Sequence, residues 1–238
     1  MIKFYKKTEQ VYVPTQSMIE ELEREGIIAD MRIWARGIDL ELFNPSKREM
    51  DWRRSVGFSD DEIVVTFVSR LVWEKELGTY IKAVKNLKKI NPKVRALVVG
   101  NGPAQAEAEE LLPEAHFTGF IKGDELARAY ASSDIFFFPS HTETFGNVTL
   151  EAMASGLPCL VADAIGSKSL VKHGVNGFWA EKESVTDFTE KLKIIVEDDD
   201  RRLEMGAKSR EFSLGYKWDD INAGLLNNYK EALSNFKK

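Results

Sequence analysis

Residues 136–177 read FFFPSHTETFGNVTLEAMASGLPCLVADAIGSKSLVKHGVNG. Ile135 and the three phenylalanines that follow it form a continuous apolar run stopped by Pro139, the pattern of a strand buried on both faces. Thr142, Thr144 and Asn147 are candidate N-caps for a helix. Val148, Leu150, Met153 and Ala154 give that helix its apolar contacts, Gly156-Leu157-Pro158 ends it, and residues 159–162 are strand-like again. The stretch is therefore a strand–loop–helix–strand unit, and its loop lies at the carboxyl end of a strand, where open parallel sheets bind ligands. Glu143 and Glu151 stand in it with seven residues between them and Gly146 inside the interval. One carboxylate falls in the loop at the helix mouth and the other on the helix, about two turns later. The first N–H groups of a helix have no partners within it, so the mouth can hold a phosphate. Acids on both sides of a phosphate suit a ligand with hydroxyls at both ends, such as a nucleotide-diphospho-sugar. The spacing alone fits a solvated loop charge and a helix surface charge equally well, because Asp and Glu make up 38 of 238 residues. The strand and helix around the pair favour a site.

Outward from this unit the pattern stays regular. Strands are predicted over residues 63–69, 94–99, 116–120 and 177–179, and helices over 77–90, 104–112, 124–132 (with Asp124 as cap), 167–171, 184–197 and 199–212. A closing helix begins at Trp218, with Ile221, Leu225, Tyr229 and Leu233 on one stripe. Strands alternating with helices imply an α/β fold with a doubly wound parallel sheet. Ahead of this regular part, residues 11–14 and 31–34 read as short strands flanking a helix capped at Thr15 or Ser17, and residues 36–57 read as a connector.

Composition narrows the function classes. A hydrophobic content of 43% in 238 residues supports a real core, and a net charge of −5 offers no global attraction to nucleic acid. Lys82, Lys85, Lys88 and Lys89 fall on one predicted helix face and read as solvated. Cys159 stands alone in an apolar strand and reads as a small buried hydrophobe, which excludes a disulfide within the chain and fits a reducing compartment. No apolar run approaches the ~20 residues of a membrane span, and no signal peptide is apparent. His116 and His141 read as packing residues and His173 as solvated; no His, Cys or Asp group shows metal-ligand spacing. Gly100-Asn101-Gly102-Pro103 lacks the third glycine of a dinucleotide fingerprint, which argues against a nicotinamide-dependent oxidoreductase.

The run TETFGNVTLEAMASGLP resembles the donor-binding signature of retaining glycosyltransferases with the GT-B fold, glycosyltransferase family 4, and is similar to members that transfer mannose, sulfoquinovose and related sugars to lipid or glycan acceptors. The resemblance extends from about residue 11 to the C-terminus. It implies a Rossmann-like domain over residues 58–216, the C-terminal half of a GT-B fold, with residues 1–35 the remnant of the N-terminal domain, 36–57 the interdomain linker and 217–238 the closing helix. In SRLVWEKELG, Arg70 and Lys75 match the family's basic pair and are implied to contact the donor phosphates, while Glu76 departs from the glycine usual after the lysine. Glu143 is implied to accept hydrogen bonds from sugar hydroxyls and Glu151 from the ribose. Thr144, Phe145, Gly146, Asn147 and Val148 would present N–H groups to the diphosphate, Gly102 would line the nucleotide pocket and Ile121 would touch the base.

These parallels lead to an expectation: the chain is the donor-binding half of a retaining, metal-independent hexosyltransferase, using GDP-mannose or a UDP-sugar and no cofactor. Its acceptor, a lipid or glycan, would be held by the missing N-terminal domain, so the isolated chain should transfer poorly, and self-association or a separate N-terminal partner would cover the exposed wall. The place of action would be cytoplasmic, peripheral at the inner membrane face. The alternative is a non-catalytic nucleotide-binding or protein-docking module.

Overall fold

The computed structural model describes Tyr5 and residues 8–236. The short strands β1 (Val11–Val13) and β2 (Met31–Ile33) pair in parallel as a separate sheet, bridged by helix α1 (Gln16–Arg24). Thr15 caps α1 by accepting from the Met18 N–H at 3.2 Å. Residues 36–57, expected as a plain connector, contain helix α2 (Met50–Ser55). That helix has a reason to form: Arg53 is completely buried and donates to Asp134 Oδ2, the Ser132 carbonyl and the Glu62 carbonyl. Arg53 thereby fastens the end of this segment to the strands that follow it.

The main body is a six-stranded, all-parallel sheet of β3 (Ile63–Val68), β4 (Val94–Val99), β5 (His116–Gly119), β6 (Ile135–Phe138), β7 (Cys159–Ala162) and β8 (Gly177–Ala180), in the order β5-β4-β3-β6-β7-β8. Between them run α3 (Leu77–Ile90), α4 (Gln105–Leu111), α5 (Asp124–Ala131), α6 (Asn147–Ala154) and the short α7 (Ile165–Lys168). The chain closes with α8 (Val185–Glu197), α9 (Asp199–Ser213) and α10 (Trp218–Phe236). The doubly wound sheet is as the sequence predicts. Its strand order reverses between β3 and β6, the point where such sheets open a crevice at their carboxyl ends.

The phenylalanine run explains why β6 sits centrally. Phe137 stacks against Tyr80 of α3 and Phe188 of α8, each at 5.3 Å between centroids, while Phe136 meets Tyr130 of α5 at 6.0 Å. Neighbouring residues of a strand point to opposite faces, so an unbroken aromatic run is tolerated only where both faces are covered by helices. Burial of each such ring stabilises by about 2–3 kcal/mol.

Three local expectations are corrected. The N-cap of α6 is Gly146, in left-handed conformation (φ 93°), and no side chain caps the helix. The N-cap of α5 is Gly123, and Asp124 instead pairs with Lys47 at 2.8 Å. Helix α7 begins two residues before the predicted start, and its Gly166 lies against the Glu143 carbonyl, where a Cβ would fall 1.9 Å from that oxygen. The loop bearing Glu143 is thus clamped by α7, and Ser167 Oγ adds a 2.8 Å bond to the Ser140 carbonyl.

The closing helix α10 packs back on the small sheet. Tyr12 and Tyr229 meet edge to face at 5.6 Å, and Arg32 pairs with Glu231 at 2.6 Å. Of the predicted stripe, Tyr229 and Leu233 are substantially exposed, as is Leu226 beside them.

Candidate functional site

The reversal point between β3 and β6 brings the β3–α3 loop to the β6–α6 loop. Lys75 Nζ reaches Glu143 Oε1 at 2.6 Å, and both side chains are about one-fifth exposed (20% and 19%). The ammonium also donates to Thr142 Oγ1 at 3.1 Å, and Ser140 Oγ donates to Glu143 Oε1 at 3.3 Å. Positions 75 and 143 are far apart in sequence, and the fold turns them into a charge-assisted pair at the mouth of α6. With Gly146 as cap no side chain caps α6; the Thr149 N–H turns to the Gly146 carbonyl at 3.0 Å, while the N–H groups of Asn147 and Val148 and the positive helix end remain open to an anion.

Glu151 lies about one turn into α6 and is largely buried. The Tyr130 hydroxyl donates to its Oε2 at 3.1 Å and also lies 3.2 Å from the Val148 carbonyl. Burial pushes the Glu151 carboxyl up to about 7, with the Tyr130 bond pulling weakly the other way. A carboxyl in that range switches near neutral pH between a hydrogen-bond donor and an acceptor able to take two hydroxyls.

The two glutamates open into adjoining cavities of about 400 and 470 Å³. The first is lined by Lys75, Glu143, Thr144, Phe145, Gly146 and Val148, among others. The second is lined by Ile38, Asp39, Leu150, Glu151 and Trp218, among others. Arg36 and Asn147 line both. The loop residues Thr144 through Val148 and both acids thus line these two adjoining cavities.

Three predicted residues stand elsewhere. Arg70 extends to solvent, two-thirds exposed, and pairs with Glu74 at 2.8 Å. Gly102 packs on the backbone of Leu71, where a Cβ would fall 2.3 Å from the carbonyl oxygen, so its lack of a side chain joins the β3 and β4 loops. Ile121 packs at the edge of the core beyond β5. None of the three lines either cavity.

The remaining sequence-level expectations resolve locally. Cys159 is fully buried, and its thiol is pushed above the ordinary range by that burial. His116 is partly buried, with its pKa lowered by desolvation, and stacks edge-on against Phe58. His173 is exposed, as read, while its ring packs edge-on against Trp179 and accepts the Trp179 N–H at 3.2 Å. Glu76 adopts the left-handed conformation (φ 57°) that favours glycine, and its carboxylate accepts from Thr79 Oγ1 at 2.7 Å. Sequence spacing gave no metal set, yet the fold brings ligand atoms of Glu76, His141 and Glu183 within 4.8 Å of one another, from three separate loops. His141 is no plain packing residue: its buried Nδ1 has no hydrogen-bond partner among the described residues and lies 3.8 Å from Glu76 Oε1.

Residues the sequence reading passed over also build the site. Gly37 is pressed against Trp218, where a Cβ would fall 2.5 Å from the indole, and the Ile38 N–H donates to the Tyr216 carbonyl at 2.8 Å. Arg210 fastens the same connector to the end of α6 through the carbonyls of Phe43, Leu40 and Ala154 at 2.7–3.1 Å. The RGID motif at residues 36–39 was visible in the sequence, but nothing in its spacing said which wall it would join.

Residues 49–212 match the family described as Glycosyl transferases group 1. The chain belongs to the group 1 glycosyltransferases. Relatives within and around this family include a GDP-mannose-dependent alpha-mannosyltransferase of Corynebacterium glutamicum, 35% identical over 95% of this chain and 53% of the relative. The sulfoquinovosyl transferase SQD2 of Arabidopsis thaliana is 34% identical over 98% of this chain and 46% of its own length. The chain therefore spans about half the length of these curated relatives. Among solved structures, Anabaena Alr3699/HepE in complex with UDP and glucose superposes with a TM-score of 0.82 at 23% identity, over 95% of this chain and 64% of that one. The C-terminal domain of the group 1 family protein LpcC of Francisella tularensis superposes with a TM-score of 0.68 at 24% identity, over 76% of this chain and all of that domain. These likenesses establish the Rossmann-like architecture of a GT-B glycosyltransferase domain for residues of this group 1 chain.

Proposed function

We propose that the chain is the donor-binding half of a retaining glycosyltransferase of family 4, taking a nucleotide-diphospho-hexose and delivering the hexose to a lipid or glycan acceptor. The observation that carries this is the Lys75–Glu143 pair at the uncapped mouth of α6, with Glu151 opening into the adjoining cavity. In this reading the diphosphate lies on the first-turn N–H groups of α6 with Lys75 beside it. Glu143 exchanges its lysine for sugar hydroxyls, and Glu151 takes the ribose diol. Negative charge grows on the departing diphosphate in the transition state, so donors fixed at the helix mouth favour that state over the ground state. The reading needs neither cofactor nor metal, because Lys75 and the backbone dipoles supply the positive field. GDP-mannose is the preferred donor, supported by the names of the mannosyltransferase relatives; the UDP-bound structural neighbours support UDP-sugars as the second choice.

The acceptor would be held by a domain outside residues 1–238, so the chain alone transfers poorly, and its place of action is cytoplasmic, at the inner membrane face. No described helix is long and apolar enough to cross a membrane. Calorimetric titration with GDP, UDP, GDP-mannose and UDP-glucose tests the reading, together with Glu151→Ala and Lys75→Ala. Micromolar to millimolar binding that both variants weaken supports it. Unchanged affinity in both variants would discard it, and sugar transfer at full turnover by the isolated chain would overturn the claim of incompetence. A docking module is the second reading, favoured by the exposed Leu226, Tyr229 and Leu233 of α10.

A further inference from the structure

We propose that Arg36, which lies outside the basic pair matched in the sequence, is a diphosphate-binding cation of this site. The inference rests on the donor-binding reading above and goes beyond it, since it assigns a residue of the connector to the leaving group. Arg36 and Asn147 are the two side chains common to both cavities, so Arg36 stands between the wall that carries Glu143 and the wall that carries Glu151. A diphosphate joining a sugar to a ribose must cross that boundary. Lys75 is already engaged by Glu143, and Arg70 points away and is engaged by Glu74. Arg36 has no carboxylate partner among the described residues; its recorded neighbour is the Trp34 ring, 4.7 Å from the guanidinium carbon. Stacking on an aromatic face leaves the in-plane N–H donors of a guanidinium free, and those donors match two phosphate oxygens at once.

The placement is built in. Gly37 cannot carry a side chain because Trp218 fills that space, and Ile38 is hydrogen-bonded to Tyr216, so the backbone beside Arg36 is fixed by the start of α10. Trp34 holds the side chain from the other direction. A guanidinium positioned before the ligand arrives loses little freedom on binding, which is the condition for a large contribution to affinity.

The test is titration of the whole chain with GDP and UDP, and with guanosine and uridine as phosphate-free controls, for the wild type, Arg36→Ala, Arg36→Gln, Arg36→Lys, Arg70→Ala, Lys75→Ala and Glu151→Ala, with folding checked by circular dichroism. Arg36→Ala and Arg36→Gln are expected to lower diphosphate affinity by roughly tenfold or more and to leave nucleoside binding unchanged. Arg36→Lys should recover part of the loss, and Arg70→Ala should fall within about twofold of wild type, as an exposed ion pair would. If Lys75→Ala weakens GDP and UDP binding while folded Arg36→Ala and Arg36→Gln bind like wild type, the assignment of Arg36 is wrong and the donor site stands. If the wild type binds neither diphosphate, or if Lys75→Ala and Glu151→Ala both leave affinity unchanged, the donor-binding reading itself falls and takes this inference with it.

Discussion

Two ion pairs at opposite edges of the same sheet use the same chemistry to different ends. At the amino edge, Arg53 pairs with Asp134 at 2.9 Å; the arginine is wholly buried and the acid 15% exposed. At the carboxyl edge, Lys75 pairs with Glu143 at 2.6 Å with both partners about one-fifth exposed. The first pair is densely bonded, with only the Arg53 Nε–H left without a partner among the described residues. Arg53 also donates to the carbonyls of Ser132 and Glu62, and Asp134 also accepts from Arg48 and from the Val64 N–H at 2.7 Å each. The second has only the hydroxyls of Thr142 and Ser140 around it. A buried pair whose guanidinium termini and carboxylate are taken up by protein groups has little to offer a ligand, and removal of one member leaves buried polar groups without partners. A half-open pair held by hydroxyls can exchange its partner for a phosphate or a sugar. Completeness of the surrounding hydrogen bonds, more than the pair itself, separates structure from site.

The comparison can be broken most forcefully at its buried end. Arg53→Ala should destabilise the chain by about 3–5 kcal/mol by chemical denaturation, because Asp134 and two carbonyls lose their donor; a loss below ~1 kcal/mol would erase the distinction drawn between the edges.

Glu151 gives the next effect. Burial raises its pKa from 4.5 to about 7 in the folded state, so between those values the folded chain keeps a proton that the unfolded chain has released. Stability conferred by this group is full below pH 4.5, falls as pH rises toward 7 and stays low above it. Glu151→Gln removes that dependence and should raise stability at pH 8 by about 1–3 kcal/mol, read from denaturation curves at pH 5 and pH 8. Equal shifts at both pH values would contradict it. The same titration should make nucleotide affinity rise between pH 6 and pH 8 in the wild type and stay flat in Glu151→Gln.

Lys75→Ala sharpens the open end. Its folding stability should change by less than about 1 kcal/mol, while diphosphate affinity falls roughly tenfold. A large stability loss with unchanged affinity would make the pair structural, like its counterpart. The smallest expected effect is at Glu76. Glycine at this left-handed position relieves about 1 kcal/mol of backbone strain and forfeits the bond from Thr79. Glu76→Gly should therefore stabilise by a few tenths of a kcal/mol, seen as a slight rise in thermal midpoint.

Much of this architecture was legible in the chain. Apolar runs bounded by proline and glycine marked the strands, because a strand covered on both faces leaves no room for alternation; β6 and β7 were read to the residue. The helix caps were less legible. Thr142, Thr144 and Asn147 are good capping residues by type, yet Gly146 caps α6, since the loop must turn into a left-handed conformation to pass α7. Helix α2 was missed because its stabilising feature, the arginine that reaches Asp134, is a long-range contact with no local periodicity.

The sequence by itself determined the parallel α/β framework and the presence of Glu143 and Glu151 at a strand-end helix, because hydrophobic period and glycine placement are local properties of the chain. Only the tertiary structure decided which cations stand at that helix. Arg70 and Lys75 are equally plausible when read in a line, and Arg36 is invisible as a candidate. The crossing of β3 with β6, and the contact of Gly37 with Trp218, depend on packing between segments far apart in the chain, and that packing turns Lys75 and Arg36 toward the cavities and leaves Arg70 in solvent.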